Sequence, residues 1–229
     1  NKLNIVITGC SQGIGAELVK LWSSNHRVFG ISRNREKLKM LKSSLENHEN
    51  FSFIAESIND LNQDSLTEFL GQIKVDVLVN NAGLLINKPF LDIQYEDYKR
   101  VMDVNFWGAF HVSKLLLDGL SKAKGQILNI SSMGGVNGTS KFPGLSIYSS
   151  SKGALTILTE CLYEELKEYN VRVNALALGA VQTEMLDQAF PGYKADTSPK
   201  QMAEFIDSIV VKGSQILNGQ ILKVTGSNP

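Results

Sequence analysis

The sequence predicts an α/β fold: a doubly wound, seven-stranded parallel sheet with helices on both faces, in three layers. Three observations predict it. Short β-rich runs alternate with longer helix-period runs along the chain. The β-rich runs are almost continuously apolar, as strands buried on both faces must be. A glycine-rich turn joins the first such run to the first helical one.

The elements follow in order. "LNIVIT" (3–8) is an apolar strand bounded by Gly9, and 14–25 is the helix after it. "RVFGIS" (27–32), "FSFIA" (51–55) and "VDVLVN" (75–80) repeat the strand pattern, separated by helical segments 34–47 and 62–73. A long helical segment, 95–121, leads to "GQILNIS" (125–131). In 150–169, Leu155, Leu158, Leu162 and Leu166 recur at helical spacing. "VRVNALAL" (171–178), a helix over 199–211 and "GQILKVT" (219–225) complete the set. No linker, low-complexity tract or repeat divides the chain, so residues 1–229 read as one domain. The longest irregular stretches, 132–146 and 179–198, both follow strands of the second half. Ligands in open parallel sheets sit beyond the carboxyl ends of the strands, so these loops are the expected substrate walls.

Composition narrows the class. Of 229 residues, 43% are apolar, enough for a sizeable core. Lys plus Arg equals Asp plus Glu at 23 each, which does not favour nucleic acid or an anionic membrane as partner. Two cysteines, Cys10 and Cys161, form no disulfide framework, and with His26, His48 and His111 scattered there is no metal spacing. No apolar run reaches membrane-span length and no signal-peptide pattern opens the chain, so a cytoplasmic protein is expected. Cys10, Trp22, Phe106 and Trp107 read as packing residues.

After the first strand comes "TGCSQGIG" (8–15). Gly9, Gly13 and Gly15 permit a sharp strand-to-helix turn and a close backbone approach to a pyrophosphate, and the helix N-terminus offers free N–H groups to it. No Gly-Lys-Ser/Thr follows, so this is not a Walker loop. Because the loop follows the first strand and opens a helix, it reads as a Rossmann-type dinucleotide site rather than an empty turn.

Five motifs in order, "TGCSQGIG", "NNAG" (80–83), "NISS" (129–132), "YSSSK" (148–152) and "VNALALG" (173–179), resemble the single-domain branch of the short-chain dehydrogenase/reductase family over nearly the whole chain. The resemblance implies a nicotinamide cofactor bound by Gly9, Ser11, Gln12, Gly13, Ile14 and Gly15 of the glycine loop. It implies further contacts from Asn81, Ala82 and Gly83 after the fourth strand, from Gly179, Val181 and Thr183 after the sixth, and from Tyr148 and Lys152. Asn80 to Gly83 are equally open to a structural role. Near the adenine, relatives carry an aspartate where this chain has Ser57, followed by Ile58.

At the end of the second strand an acidic residue would favour NAD(H). This chain has Ser32 and then Arg33, whose guanidinium can fork onto a 2′-phosphate. NADP(H) is therefore preferred, with NAD(H) still open and Arg35 and Gln12 as weaker candidates for the phosphate.

Tyrosine is a poor acid at neutral pH, with an ordinary pKa of about 10, and a nearby ammonium lowers that value. Tyr148 and Lys152, four residues apart, lie on one face of one helix. They are expected to form an acid–base pair in which Lys152 depresses the phenol. By the resemblance, Ser132 holds the substrate oxygen, Lys152 bonds the nicotinamide ribose, and Asn105 holds a water that links Lys152 to solvent. Ser131 competes with Ser132, since strand alternation sends the two in opposite directions. The interval from Ser132 to Tyr148 is slightly long for the family, the extra residues falling in "NGTSKFPG" (137–144). Leu178 stands where relatives have a proline, and the ending "KVTGSNP" departs from the usual one.

The function expected is NADP(H)-dependent hydride transfer between nicotinamide and a small to medium alcohol or carbonyl. The alternative is a non-catalytic dinucleotide sensor or scaffold, whose mark would be loss of Tyr148 or Lys152. A sugar-nucleotide epimerase is disfavoured because little chain follows residue 179 to build a substrate domain. Family members pair long helices across subunits, so the resemblance implies a homodimer or homotetramer.

Overall fold

A computed structural model describes residues 2–211 and 216–225. Seven parallel strands form one sheet in the order β3-β2-β1-β4-β5-β6-β7. They are β1 (Asn4–Thr8), β2 (Arg27–Ile31), β3 (Phe51–Ile54), β4 (Val77–Asn80), β5 (Gln126–Ser132), β6 (Arg172–Leu178) and β7 (Ile221–Val224). The strand order reverses direction between β1 and β4, which opens a crevice at their carboxyl ends.

Strand alternation divides the core in two. Ile5 and Ile7 of β1, with Val77 and Val79 of β4, face one side. There they meet α1 (Gly13–Trp22), α2 (Arg35–Ser43) and α9 (Pro199–Val210). Val6, Leu78 and Ile127 face the other side. Their cover is α3 (Gln63–Leu70), α5 (Gly108–Leu115), α6 (Leu117–Ala123) and α7 (Ser146–Glu165). Each fully buried Leu, Ile or Val contributes about 1.5–3 kcal/mol of transfer free energy. The apolar periodicity therefore suffices to specify the three layers.

Helix starts follow side-chain chemistry. Asn34 caps α2, Asn62 and Ser65 form a reciprocal cap on α3, and Ser198 and Gln201 do the same for α9. α1 has Gln12 at its N-cap with no side-chain bond to the helix, so its first N–H groups stay available.

The predicted helix over 95–121 is broken twice. α4 (Tyr95–Met102) passes into a π-turn over Asp103–Trp107 before α5, and a second break at Leu116 precedes α6. A π-turn adds a residue within the helix, and Asn105 sits inside it. The helix expected over 150–169 begins earlier, at Ser146, so Tyr148 lies in its first turn; it ends at Glu165, and a 3₁₀ turn follows at Lys167–Tyr169. The two loops expected to be irregular hold short helical pieces: a 3₁₀ turn at Met133–Gly135, and α8 (Glu184–Ala189) inside 179–198. Leu178 continues β6, pairing with Val224, and Gly179 N–H bonds Val224 O at 2.8 Å. Without a proline, the strand ladder thus runs to the edge of the loop. Of the ending "KVTGSNP", residues 226–229 lie outside the described residues.

Trp22 packs as expected, 1% exposed, its indole N–H donating to Asp207 at 2.9 Å. Phe106 also packs against the core. Trp107 does not: it is 45% exposed and stacks on Phe110 and His111 at the surface. Among the described residues no helix is long and apolar enough to cross a membrane.

Candidate active site

A cavity of about 1120 Å³ opens along the carboxyl ends of the strands. Its wall takes Gly9, Ser11, Gln12, Gly13 and Ile14 from the glycine loop, Ser32 and Arg33 after β2, and Ile58 after β3. It takes Asn81, Ala82 and Gly83 after β4, Ser131 and Ser132 from β5, Tyr148 and Lys152 from α7, and Gly179, Val181 and Thr183 after β6. Of the predicted site residues, Gly15 and Asn105 are not on this wall.

The glycine loop is held by β1 and β4 together. Asn81 donates through Nδ2 to the carbonyls of Thr8 (3.2 Å) and Gly9 (3.0 Å), and Thr8 Oγ1 accepts from Asn81 N and Ala82 N, each at 3.1 Å. Gly9 has φ +67°, and a Cβ there would come within 2.6 Å of Ala82 Cα. Gly15 is buried in packing: a Cβ on it would lie 2.6 Å from Asn81 Nδ2 and from Gly9 O. Its role is close approach of helix and strand, which explains its absence from the cavity wall. Burial pushes the Cys10 thiol up to about 12, the signature of a packed thiol.

"NNAG" divides by role. Asn80 is buried and donates to Asn129 Oδ1 (2.8 Å) and Ser113 Oγ (3.0 Å), while Asn129 donates to Thr159 Oγ1 (2.9 Å). This polar seam ties β4, β5, α5 and α7, and Asn80 does not reach the cavity. The next three residues line it.

The structure separates the two serines of β5. Ser131 turns into α7, its hydroxyl bonding Lys152 O at 3.0 Å and Thr156 Oγ1 at 3.2 Å. Ser132 turns to the other side, accepting from Gly134 N at 3.2 Å and facing the cavity wall that Tyr148 shares. Lys152 is 4% exposed; its ammonium donates to Ile130 O at 2.8 Å and sits 6.0 Å from the centre of the Tyr148 ring.

Electrostatics correct one expectation. Tyr148 is not depressed by Lys152. Burial pushes its phenol up to about 12, against a smaller lowering from the Ser132 hydrogen bond. Burial also drives the Lys152 ammonium down to about 8. Desolvation disfavours the charged form of both groups and is the largest cause of each shift.

Asn105 is 1% exposed and spends its amide on structure. Its Oδ1 accepts from Leu84 N (2.7 Å), and its Nδ2 donates to Leu84 O (2.9 Å) and to Ser151 Oγ (2.8 Å). Both amide hydrogens are used, so only Oδ1 keeps a free lone pair. A Cβ on Gly83 would lie 3.7 Å from this Oδ1 and 3.6 Å from Lys152 Nζ, so Gly83 keeps the space between them open. The serines of "YSSSK" have three fates. Ser149 reaches the cavity beside Gly134, Ser150 is exposed, and Ser151 is fully buried and bonds Tyr148 O at 2.7 Å.

Other wall residues carried no sequence signal of their own. Phe142, Phe190 and Tyr193 line the cavity from the two long loops. The extra residues before Tyr148 fold back on themselves: Thr139 Oγ1 donates to Met133 O at 2.5 Å and Lys141 Nζ to Val136 O at 2.9 Å, which sets Phe142 at the rim. Thr183 caps α8, accepting from Leu186 N at 3.3 Å, and its methyl would lie 3.4 Å from a Cβ on Gly13. The long loop therefore lies over the glycine loop. Ser57, at the position where the resemblance implies an aspartate, lines the cavity together with Asn59. Arg35 is exposed and off the wall.

The residues fit a dinucleotide. The uncapped start of α1 faces the cavity, and the glycine positions leave no side chain between backbone and ligand. Gly9 to Thr183 as named above would hold it. Among the described residues no group of His, Cys, Asp and Glu is placed to bind a metal.

Known proteins resemble this chain in sequence and in fold. The family model described as short chain dehydrogenase matches residues 3–194. The short-chain dehydrogenase cctT of Talaromyces islandicus is 36% identical over 183 residues, 78% of this chain and 63% of that protein. The NADPH carbonyl reductase 2 of Sus scrofa is 36% identical over 188 residues, 80% of this chain and 73% of that one. The 3-oxoacyl-acyl-carrier-protein reductase FabG of Aquifex aeolicus is 29% identical over 238 residues, 96% of this chain and 95% of that one. Among solved structures, ElxO with NADP bound superposes with a TM-score of 0.83 at 27% identity, covering 99% of this chain and 98% of its own.

Proposed function

This chain belongs to the short chain dehydrogenase family, and from that premise we propose that it is an NADP(H)-dependent reductase of small to medium carbonyl compounds with an apolar body. The observation that carries the proposal is that Ser132 of β5 and Tyr148 of α7 meet on the cavity wall, with Lys152 one helical turn further along α7.

When bound, the nicotinamide supplies or accepts the hydride. The chain's own residues handle the proton and the oxygen. Ser132 and Tyr148 both donate to the substrate oxygen as negative charge develops there. With a pKa near 12, Tyr148 is a phenol at neutral pH, the form that donates a proton in the reductive direction. Lys152, near 8, is mostly ammonium at pH 7 and places a cation 6.0 Å from the centre of the Tyr148 ring. A water between Lys152 Nζ and Asn105 Oδ1, in the space Gly83 keeps open, would return the proton, while the Asn105 amide hydrogens hold Leu84 and Ser151 in place.

Arg33 at the cavity lip supports NADP(H) over NAD(H), because it offers a cation where a carboxylate would favour a free ribose hydroxyl. The carbonyl reductase of Sus scrofa carries NADPH in its name, and ElxO was solved with NADP. Phe142, Phe190 and Tyr193 favour an apolar substrate body. Exposed Tyr95, Tyr98 and Trp107 on α4 and the π-turn, with Ile157 on α7, offer faces for a homodimer or homotetramer, which light scattering would detect.

The test is a panel of carbonyls and alcohols assayed with NADPH, NADP, NADH and NAD, for wild type and Tyr148→Phe. The expected result is NADPH-linked reduction that Tyr148→Phe abolishes while cofactor affinity holds. Equal turnover in that variant refutes the acid–base assignment.

A further inference from the structure

We propose that Lys37 supplies a second positive charge to the adenosine 2′-phosphate, presented across the glycine loop by Gln12. The proposal rests on the NADP(H) reading above and extends it to a residue that no motif marks.

Gln12 occupies the N-cap of α1 but does not cap it. Its side-chain oxygen instead accepts from the Lys37 ammonium of α2. This bond bridges the glycine loop and the helix after β2, the two segments that bracket the adenosine end of the cavity. Gln12, Ser11, Ser32, Arg33 and Asn34 line that end. Ser32 Oγ donates to Ser11 Oγ at 3.0 Å and draws the same segments together. Asn34 Oδ1 accepts from Lys37 N at 3.0 Å, so the cap that starts α2 also fixes the turn that aims Lys37.

The charge on Lys37 is not neutralised. Lys20 pairs with Glu17 and Lys39 with Glu36, each three residues away on its own helix. Among the described residues Lys37 has no carboxylate partner in the ion pairs, and Gln12 holds it by a neutral amide. A phosphate monoester carries close to two negative charges at neutral pH, more than the Arg33 guanidinium alone balances. The planar fork of Arg33 and the point charge of Lys37 serve such a group from two sides. Glutamine in the glycine loop acts as a tether here: it brings no charge of its own and positions one from α2.

Dissociation constants for NADPH and NADH, read from cofactor fluorescence, test this in wild type, Lys37→Gln, Arg33→Gln, Gln12→Ala and the Lys37→Gln/Gln12→Ala pair. Arg33 and Lys37 are exposed and Gln12 is half-buried, so the substitutions should leave the fold intact, checked by thermal unfolding. Lys37→Gln should weaken NADPH about five- to tenfold and leave NADH within about twofold, and should lessen the salt dependence of NADPH binding. Gln12→Ala should show part of that loss, and the pair no more than Lys37→Gln alone. Binding of 2′,5′-ADP against 5′-AMP should follow the same pattern, which isolates the phosphate. An equal loss for NADPH and NADH would mean that Lys37 only shapes the loop, and overturns the proposal, as does no loss for either. If Arg33→Gln abolishes discrimination while Lys37→Gln keeps it, the NADP(H) reading stands and only Lys37 falls. If wild type does not discriminate, both fall.

Discussion

Replacing Lys152 by methionine should stabilise the folded protein at neutral pH while removing its activity. Burial drives the Lys152 ammonium from 10.5 to about 8 in the fold. At 1.36 kcal/mol per pKa unit, that difference of about 2.5 makes the folded state carry about 3 kcal/mol against the charged form at pH 7. Methionine is similar in length and carries no charge. It also removes the donor to Ile130 O, which costs about 1 kcal/mol. The net gain at pH 7 is about 2 kcal/mol, or roughly 4–8 °C in Tm for a chain of this size. The sign with pH follows from proton counts. Between about 8 and 10.5 the folded wild type binds fewer protons at Lys152 than the unfolded chain, so its stability rises with pH across that window. By pH 10 the residual penalty is about 1 kcal/mol, equal to the lost hydrogen bond, and the advantage of the variant is gone. Other titrating groups are common to both proteins and cancel in the difference. Urea unfolding of wild type and Lys152→Met at pH 7 and pH 10 measures this directly. A variant no more stable than wild type at pH 7, or an advantage unchanged at pH 10, would refute the desolvation of Lys152 as the source of its lowered pKa.

The remaining predictions test individual positions. Ser132→Ala should lower kcat roughly 10²-fold with little change in stability, whereas Ser131→Ala should cost about 1 kcal/mol in urea unfolding and keep most of the activity. Gly83→Ala places a methyl at ordinary contact distance, 3.6 Å from Lys152 Nζ and 3.7 Å from Asn105 Oδ1, so the fold should hold while turnover falls and a solvent isotope effect on kcat grows. Gly9→Ala forces a side chain into φ +67° and to within 2.6 Å of Ala82 Cα, and should cost more than about 2 kcal/mol, seen as a lowered urea midpoint. Asn105→Ala strands the backbone groups of Leu84 and the hydroxyl of Ser151 and should cost about 2–3 kcal/mol by the same measurement.

How much was legible in the sequence differs by scale. The apolar runs and their alternation with helical periods specified the sheet, its two covered faces and the crevice. That succeeded because burial on both faces leaves an apolar strand little choice of partner. The glycine loop was legible because a turn with φ above zero needs a residue without Cβ. Helix continuity was less so: an amphipathic pattern across 95–121 cannot show the π-turn at Asp103–Trp107, since one inserted residue shifts the face without altering composition. Trp107, expected to pack, closes that π-turn and is 45% exposed.

The sequence by itself determined the three-layer α/β architecture, the strand that ends in the glycine loop and the pairing of Tyr148 with Lys152 on one helical face. Local spacing decides each of these. Only the tertiary structure decided that Ser132 rather than Ser131 meets Tyr148, that Asn80 and Gly15 are structural, that Lys37 reaches Gln12, and that burial raises the phenol which Lys152 was expected to lower. Those outcomes depend on side chains distant in sequence and on how much water reaches them. Desolvation is a property of the closed cleft, and no short stretch of residues contains it.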